Sequence, residues 1–366
     1  MTQQVHNLTA LRGAACLLVI LAHLQTWDAA FGAETPVLRE ARWVGVGTID
    51  VFFVLSGFII TATNRRYFGR PSAAPGYLYR RAWRIYPTYW AATVLAALTG
   101  WALLDWQPLS ADALRNWPAW LALVPTADLN PFIGQAWTLP YEVVFYAAFG
   151  VLLCVPPRAA AAALGAWAVA VAAAQTRPVP AEPWLVVPLS PFVFEFLAGA
   201  AVAWLAGRGV RGWWRTALLV GVAYATVGIV LVAARPEPYG LALTDARLRV
   251  LVFGPPAVLL VYAAVAAEGR WPRRVPGWLL RCGDAAYSLY LVHFQVLLAA
   301  VVVGMKLPHT RLPHLLWLAA TLTAMLAAGF AFYVLVEKPL LNIGRRRRKP
   351  SAPVVEPGIA STRRAA

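Results

Sequence analysis

Apolar stretches of about 16 to 23 residues recur along the whole chain, and that recurrence fixes the class of fold before any motif is considered. They fall at about 8–27, 43–62, 85–104, 136–155, 159–174, 184–206, 213–234, 247–267, 284–304 and 314–336. A hydrocarbon layer of about 30 Å is crossed by roughly 20 apolar residues of helix. The chain therefore reads as all-α, a polytopic membrane protein built as a bundle of about ten transmembrane helices. Its composition agrees: 60% of residues are hydrophobic and only 13% charged, whereas about 45–50% apolar is ordinary for a soluble domain.

A net charge of +16 would suggest nucleic acid for a soluble protein, but here the charges must first be sorted by membrane side. With the N-terminus in the cytoplasm, the inner segments and their flanks hold 21 of the 32 basic residues, including Arg65, Arg66, Arg80, Arg81 and Arg84. The outer loops carry Asp28, Glu34, Glu40, Asp105, Asp112, Asp128, Glu182, Glu237 and Asp245. This positive-inside asymmetry predicts cytoplasmic N- and C-termini, membrane lipids as neighbours and no nucleic-acid partner. Residues 1–344 form the transmembrane domain, and 345–366 form a basic tail expected to be disordered and drawn to anionic lipid. The start of the chain has no basic leader, so the first span is expected to be retained. Cys16, Cys154 and Cys282 sit in different apolar segments; they read as packing residues, with neither a disulfide nor a metal site expected. The outer segment 105–135, with Trp106, Trp117 and Trp120, reads either as an interfacial lid or as an aromatic belt.

Ionisable residues inside spans are costly and point to function. Arg12 and His23 lie eleven residues apart in the first span, which puts them within about 20° of one another on one helical face and roughly 16 Å apart along it. His23 near the outer end, Asp50 in the second span and Glu142 in the fourth each fall roughly 5–10 Å below the outer surface. A carboxylate beside His23 would fix its tautomer for general-base work on a hydroxyl. The alternative is a satisfied polar cluster that only joins helices. On the inner side Arg81 and Arg84 share a face, and their guanidinium forks suit phosphate, although topology alone also places arginines there. Trp137, Tyr141, Tyr290 and His293 are further candidates for contacting substrate. Glu195 reads as an interhelical hydrogen-bonding group, and Gly45, Gly47, Ser56 and Gly57 permit close approach of a helix or a ligand.

Taken in order, Arg12 with His23, I-D-V-F-F-V-L-S-G-F, R-R-A-W-R-I-Y-P, W-T-L-P-Y-E, A-Y-S-L-Y-L-V-H and V-E-K-P resemble the successive blocks of the acyltransferase-3 family, the integral membrane O-acyltransferases of bacterial surface glycans. Thr138 stands where the family has Ser. The resemblance implies transfer of an acyl group, with acetyl the family's usual one, from cytoplasmic acyl-CoA to a hydroxyl of a carbohydrate or glycolipid acceptor at the outer face of the inner membrane. It implies no tightly bound cofactor, acyl-CoA being a cosubstrate. It makes His23 the general base, Glu142 or Asp50 its orienting carboxylate, and Arg12, Arg81 and Arg84 the cosubstrate-binding residues; an acyl-His intermediate is the competing mechanism. The chain looks like the stand-alone type, without the extra soluble domain that many members carry. A transporter or flippase using the same charges as a proton relay is the rival reading, against which the lack of evident inverted repeats counts.

Overall fold

A computed structural model describes residues 6–31, 35–104, 110–125, 133–178, 180, 182–233, 245–270, 275–306 and 314–346. The basic tail beyond Arg346, together with Asp105, Trp106 and Asp128, lies outside the described residues. Among those described the regular structure is all helical, as a lipid solvent that leaves no backbone group unpaired requires. The helices are α1 (His6–Ala30), α2 (Pro36–Asn64), α3 (Ala73–Leu104), α4 (Ala111–Ala122), α5 (Leu139–Leu152), α6 (Pro157–Ala174), α7 (Pro183–Val186), α8 (Val193–Gly207), α9 (Trp214–Ala233), α10 (Ala246–Ala266), α11 (Gly277–Asp284), α12 (Ala286–Lys306), α13 (His314–Phe332) and α14 (Lys338–Arg346).

Each of the ten expected segments carries a helix, and among the described residues seven spans are long and apolar enough to cross a membrane unaided. The three that fall short do so for physical reasons. The first half of α3 carries Arg80, Arg81 and Arg84, and its charge-free remainder begins with the weakly apolar run Tyr86, Pro87, Thr88, Tyr89 and Trp90, whereas α5 has 14 residues and α8 has 15. Each of those two rises only about 21–23 Å. Both start inside the bundle, after the 3-10 turn Gly134–Thr138 and the short α7 respectively. The lipid-facing surface is recognisable by exposed apolar side chains such as Val151, Val169, Leu219, Leu231 and Leu251.

Two of the buried apolar clusters hold the helices that carry the site. Phe53, Tyr77, Tyr89, Phe145, Phe149 and Phe196 knit α2, α3, α5 and α8, while Ile20, Trp27, Leu289 and Met325 join α1, α12 and α13. Helix α2 lies between these groups and crosses α8 at Gly57 and Gly199. A Cβ at Gly57 would stand 2.0 Å from the Phe196 carbonyl oxygen, and one at Gly199 would stand 2.0 Å from that of Val54. Backbone cannot give way as a side-chain tip does, so Gly57→Ala is expected to force α2 and α8 apart at a cost of about 1–3 kcal/mol. The check is the thermal unfolding midpoint in detergent, and an unchanged midpoint would reject the close crossing.

Of the segment expected as an outer lid or belt, the described part holds α4, which packs against α3. The last carbonyls of α4, those of Trp120, Leu121 and Ala122, accept hydrogen bonds from Tyr89, Trp90 and Tyr86 of α3, each at 2.9 Å. Tyr89 lies 15 residues before the end of α3, so α4 docks about 22 Å short of that end. A helix terminus at that depth must find protein donors for its orphan carbonyls, and the three aromatic side chains supply them. Leu123 then adopts φ 55° and buries its side chain, and the chain runs through the buried Gln135, Ala136 and Thr138 into α5.

Candidate active site

Two helices bring three arginines to one place. On α1, Arg12 donates through Nε to the Gly283 carbonyl at 2.7 Å, with Nη2 4.0 Å from Asp284. On α3, Arg84 reaches the Glu337 carboxylate at 2.5 Å, whose other oxygen accepts from Ser288 at 2.6 Å. Arg81 stands over the rings of Tyr77 and Tyr146, 5.6 and 5.5 Å from their centroids. Glu337 is fully buried because it closes a π-helical turn, Tyr333–Glu337. Such a turn inserts an extra residue per winding, is frequent at functional sites, and carries this carboxylate inward from a position that in sequence resembles a polar span end.

Glu142 belongs to the same group as these arginines. Its carboxylate accepts from Tyr146 at 2.7 Å and interacts with the charges of Arg81 and Arg84. The expected outer level for Glu142 is corrected here, because α5 begins within the bundle and its first turn therefore lies deep. A cavity of about 220 Å³ is lined by Arg12, Arg81, Arg84, Glu142, Tyr146, Tyr287 and Tyr290, and by Val19, Ile49, Phe52 and Ile59 on its apolar sides. Val19 is one helical turn from His23, on the face shared by Arg12 and His23, so the cavity climbs α1 from the arginines towards the imidazole.

His23 meets aromatic rings rather than a carboxylate. Its ring centroid is 5.2 Å from that of His293 and 5.1 Å from that of Phe294. Among the described residues no hydrogen bond or ion pair joins His23 to Asp50 or Glu142. Asp50 is instead held by Arg249, whose Nη2 lies 2.9 Å from Oδ2 and also donates to the Val46 carbonyl at 2.7 Å. The Glu195 carboxyl sits against Asp50, and Asp50 Oδ1 and both Glu195 oxygens are buried without a protein donor. Trp137 and Tyr141 pack with Phe53 and Phe192, and Arg249 lies 5.6 Å over the Trp137 ring. These two aromatics therefore wall the Asp50 site and are not cavity-lining residues. Tyr290 does line the cavity, but its hydroxyl proton is spent on the Gln135 carbonyl while Thr138 Oγ1 lies 2.7 Å away.

The family profile described as an acyltransferase domain matches residues 5–334. The chain belongs to the acyltransferase-3 family. It is 31% identical over 320 residues to the exopolysaccharide production protein ExoZ of Rhizobium meliloti (strain 1021), covering 83% of this chain and 92% of that one. It is 28% identical over an alignment of 390 positions to the acyltransferase MdmB of Streptomyces mycarofaciens, covering 95% of this chain and 94% of that one. No solved structure matches it. The protein is thus a membrane-embedded acyltransferase.

Three residues in and around this acyltransferase's site escape a reading by sequence alone. Arg249 falls at the start of an apolar segment, where it counts as an outer-loop charge, yet it is buried. An arginine two positions inside a span was the available signal. Glu337 and Ser288 give no such signal, because only the π-helical turn brings the carboxylate against Arg84.

Proposed function

We propose that this acyltransferase moves an acyl group, with acetyl the first candidate, from cytoplasmic acyl-CoA to a hydroxyl of a carbohydrate or glycolipid at the outer face of the bacterial inner membrane. The observation that carries the reading is a cavity that gathers Arg12, Arg81 and Arg84 and is lined on α1 as far as Val19, one helical turn short of His23. Guanidinium groups bind phosphate as charge-assisted forks, so Arg12, Arg81 and Arg84 hold the cosubstrate's anionic end. The apolar walls between Val19 and Ile59 suit its narrow arm, and they keep water from the thioester. At the far end His23 takes the hydroxyl proton as the oxygen attacks the thioester carbonyl, then returns that proton to the departing thiolate. A carbohydrate acceptor is supported by ExoZ, an exopolysaccharide production protein by name.

Arg81 has a 3.5 Å approach to Thr63, the ring faces of Tyr77 and Tyr146 and the charge of Glu142 nearby, but among the described residues it is not locked in a close ion pair as Arg84 is with Glu337, and so it is the better placed of the two to meet an anion. The test reconstitutes the protein in vesicles and follows label from acetyl-CoA into a lipid-linked glycan. Loss of one charge-assisted contact is worth about 1.5–3 kcal/mol, so Arg81→Ala is expected to raise the KM for acyl-CoA by about tenfold or more. The KM for the acceptor should stay as it is. An unchanged KM for acyl-CoA rejects the phosphate role.

A further inference from the structure

His23 needs an acceptor for one of its ring nitrogens if the other is to be held as a base, and among the described residues no carboxylate supplies it. The ring that faces it is His293, on α12, which is fully buried. Its Nδ1 lies 2.9 Å from the Leu289 carbonyl oxygen. A carbonyl only accepts, so Nδ1 carries the hydrogen and donates. Nε2 is then the lone-pair nitrogen of a neutral imidazole, and it is buried with no hydrogen-bond partner.

A buried acceptor left empty is costly, and its position says what it is for. The two imidazole centroids are 5.2 Å apart with the rings tilted by 53°. At that separation one nitrogen of each ring can approach to roughly the 3 Å of an N–H···N hydrogen bond, and rotation of the His23 ring about its χ2 lines them up. Among the described residues, two further rings contact the pair. Phe294 packs edge-on to His23, and the Tyr290 ring is 6.4 Å from His293 with its hydroxyl committed to Gln135. Neither offers a competing donor to Nε2.

We propose that His293 is the positioning residue for His23. Its Nε2 accepts the His23 N–H, and the remaining His23 nitrogen is thereby presented, unprotonated, to the acceptor hydroxyl. This rests on the reading of His23 as general base. In the transfer step the hydroxyl proton moves to His23, the hydroxyl oxygen bonds the thioester carbonyl carbon, the C–S bond breaks and the thiolate takes the proton from His23. While His23 is an imidazolium, its second N–H remains bound to His293 Nε2. A neutral acceptor steadies that cation without trapping it as a carboxylate ion pair would, which suits a base that must give the proton up again.

The experiment compares His293→Leu, which has no acceptor, with His293→Gln, whose side-chain carbonyl can accept. Reconstituted protein is assayed with labelled acetyl-CoA and a lipid-linked glycan. For His293→Leu, kcat is expected to fall by about a hundredfold or more, with both KM values unchanged and the pH profile of kcat displaced. His293→Gln is expected to recover at least a tenth of the wild-type kcat. Wild-type kcat and pH profile in His293→Leu, while His23→Ala is inactive, would overturn the positioning role and leave the base reading intact. A change confined to the acceptor KM would overturn it too, in favour of a substrate contact. A second measurement survives failure of either variant to fold. The chain has five histidines, so 15N-histidine labelling of the wild type can read the tautomers directly. One ring protonated at Nδ1 and coupled through N–H···N to a second supports the pair. Absence of that coupling overturns it, whatever the activity assays say of His23.

Discussion

Arg249→Leu is expected to destabilise the folded protein by about 3–5 kcal/mol, because breaking a buried ion pair from one side leaves the other charge without a partner. Arg249 and Asp50 are both buried, on α10 and α2, and Glu195 of α8 adds a second carboxyl against Asp50. Removing the guanidinium therefore strands two acidic groups among three helices, in surroundings that offer Asp50 Oδ1 and Glu195 no donor. A contact between two carboxyl groups is attractive only when they share a proton, and the neutral amide of Glu195→Gln can donate in the same place. That second substitution is expected to cost far less, under about 1.5 kcal/mol. The midpoint of unfolding in mixed detergent micelles measures both. Equal losses in the two variants would show that the site is held by packing rather than by charge.

How much of this was legible beforehand depended on whether a residue's depth followed from its distance along the chain. The ten helical segments were legible because the bilayer imposes a length of about 20 apolar residues, and lipid-facing positions carry that signal directly. Arg12 and His23 were legible for the same reason: α1 runs unbroken from His6 to Ala30, so eleven residues translate into one face and a known rise. Glu142 was misplaced in depth because a hydropathy window assumes that every span starts at the surface. In the fold, α4 docks against the middle of α3 and the turn Gly134–Thr138 delivers α5 already inside the bundle. Nothing local in W-T-L-P-Y-E announces this, since the donors that make it possible are Tyr86, Tyr89 and Trp90, some 45 to 60 residues earlier. Glu337 was obscured by a different cause, a π-helical turn that departs from the 3.6-residue period on which face assignments rest. The partner of Asp50 was hidden because an arginine near a span boundary looks like a topology signal, and only burial distinguishes the two uses.

His23→Ala is expected to lower acyl transfer by about 10²–10⁴-fold, the usual contribution of a positioned general base, while acyl-CoA binding stays near the wild-type level. The separation of the two effects follows from the architecture. The arginine end of the cavity is roughly 16 Å from His23 along α1, and its anchors, Gly283, Glu337 and Glu142, sit on other elements and do not touch the imidazole. Among the described residues the His23 ring touches His293 and Phe294 and anchors no buried ion pair, so the fold should survive and the unfolding midpoint serves as the control. The readouts are incorporation of label from acetyl-CoA into a lipid-linked glycan and, separately, a titration of acyl-CoA binding. Added imidazole is expected to restore part of the transfer in His23→Ala and none in Arg81→Ala, because a free base can replace a missing base but not a missing phosphate contact. If label accumulates on the wild-type protein itself under acid quench, His23 acts as nucleophile and carries the acyl group in a covalent intermediate. Equal transfer by wild type and His23→Ala would remove this histidine from the chemistry altogether, and the cavity would then have to deliver the thioester to another group along its length.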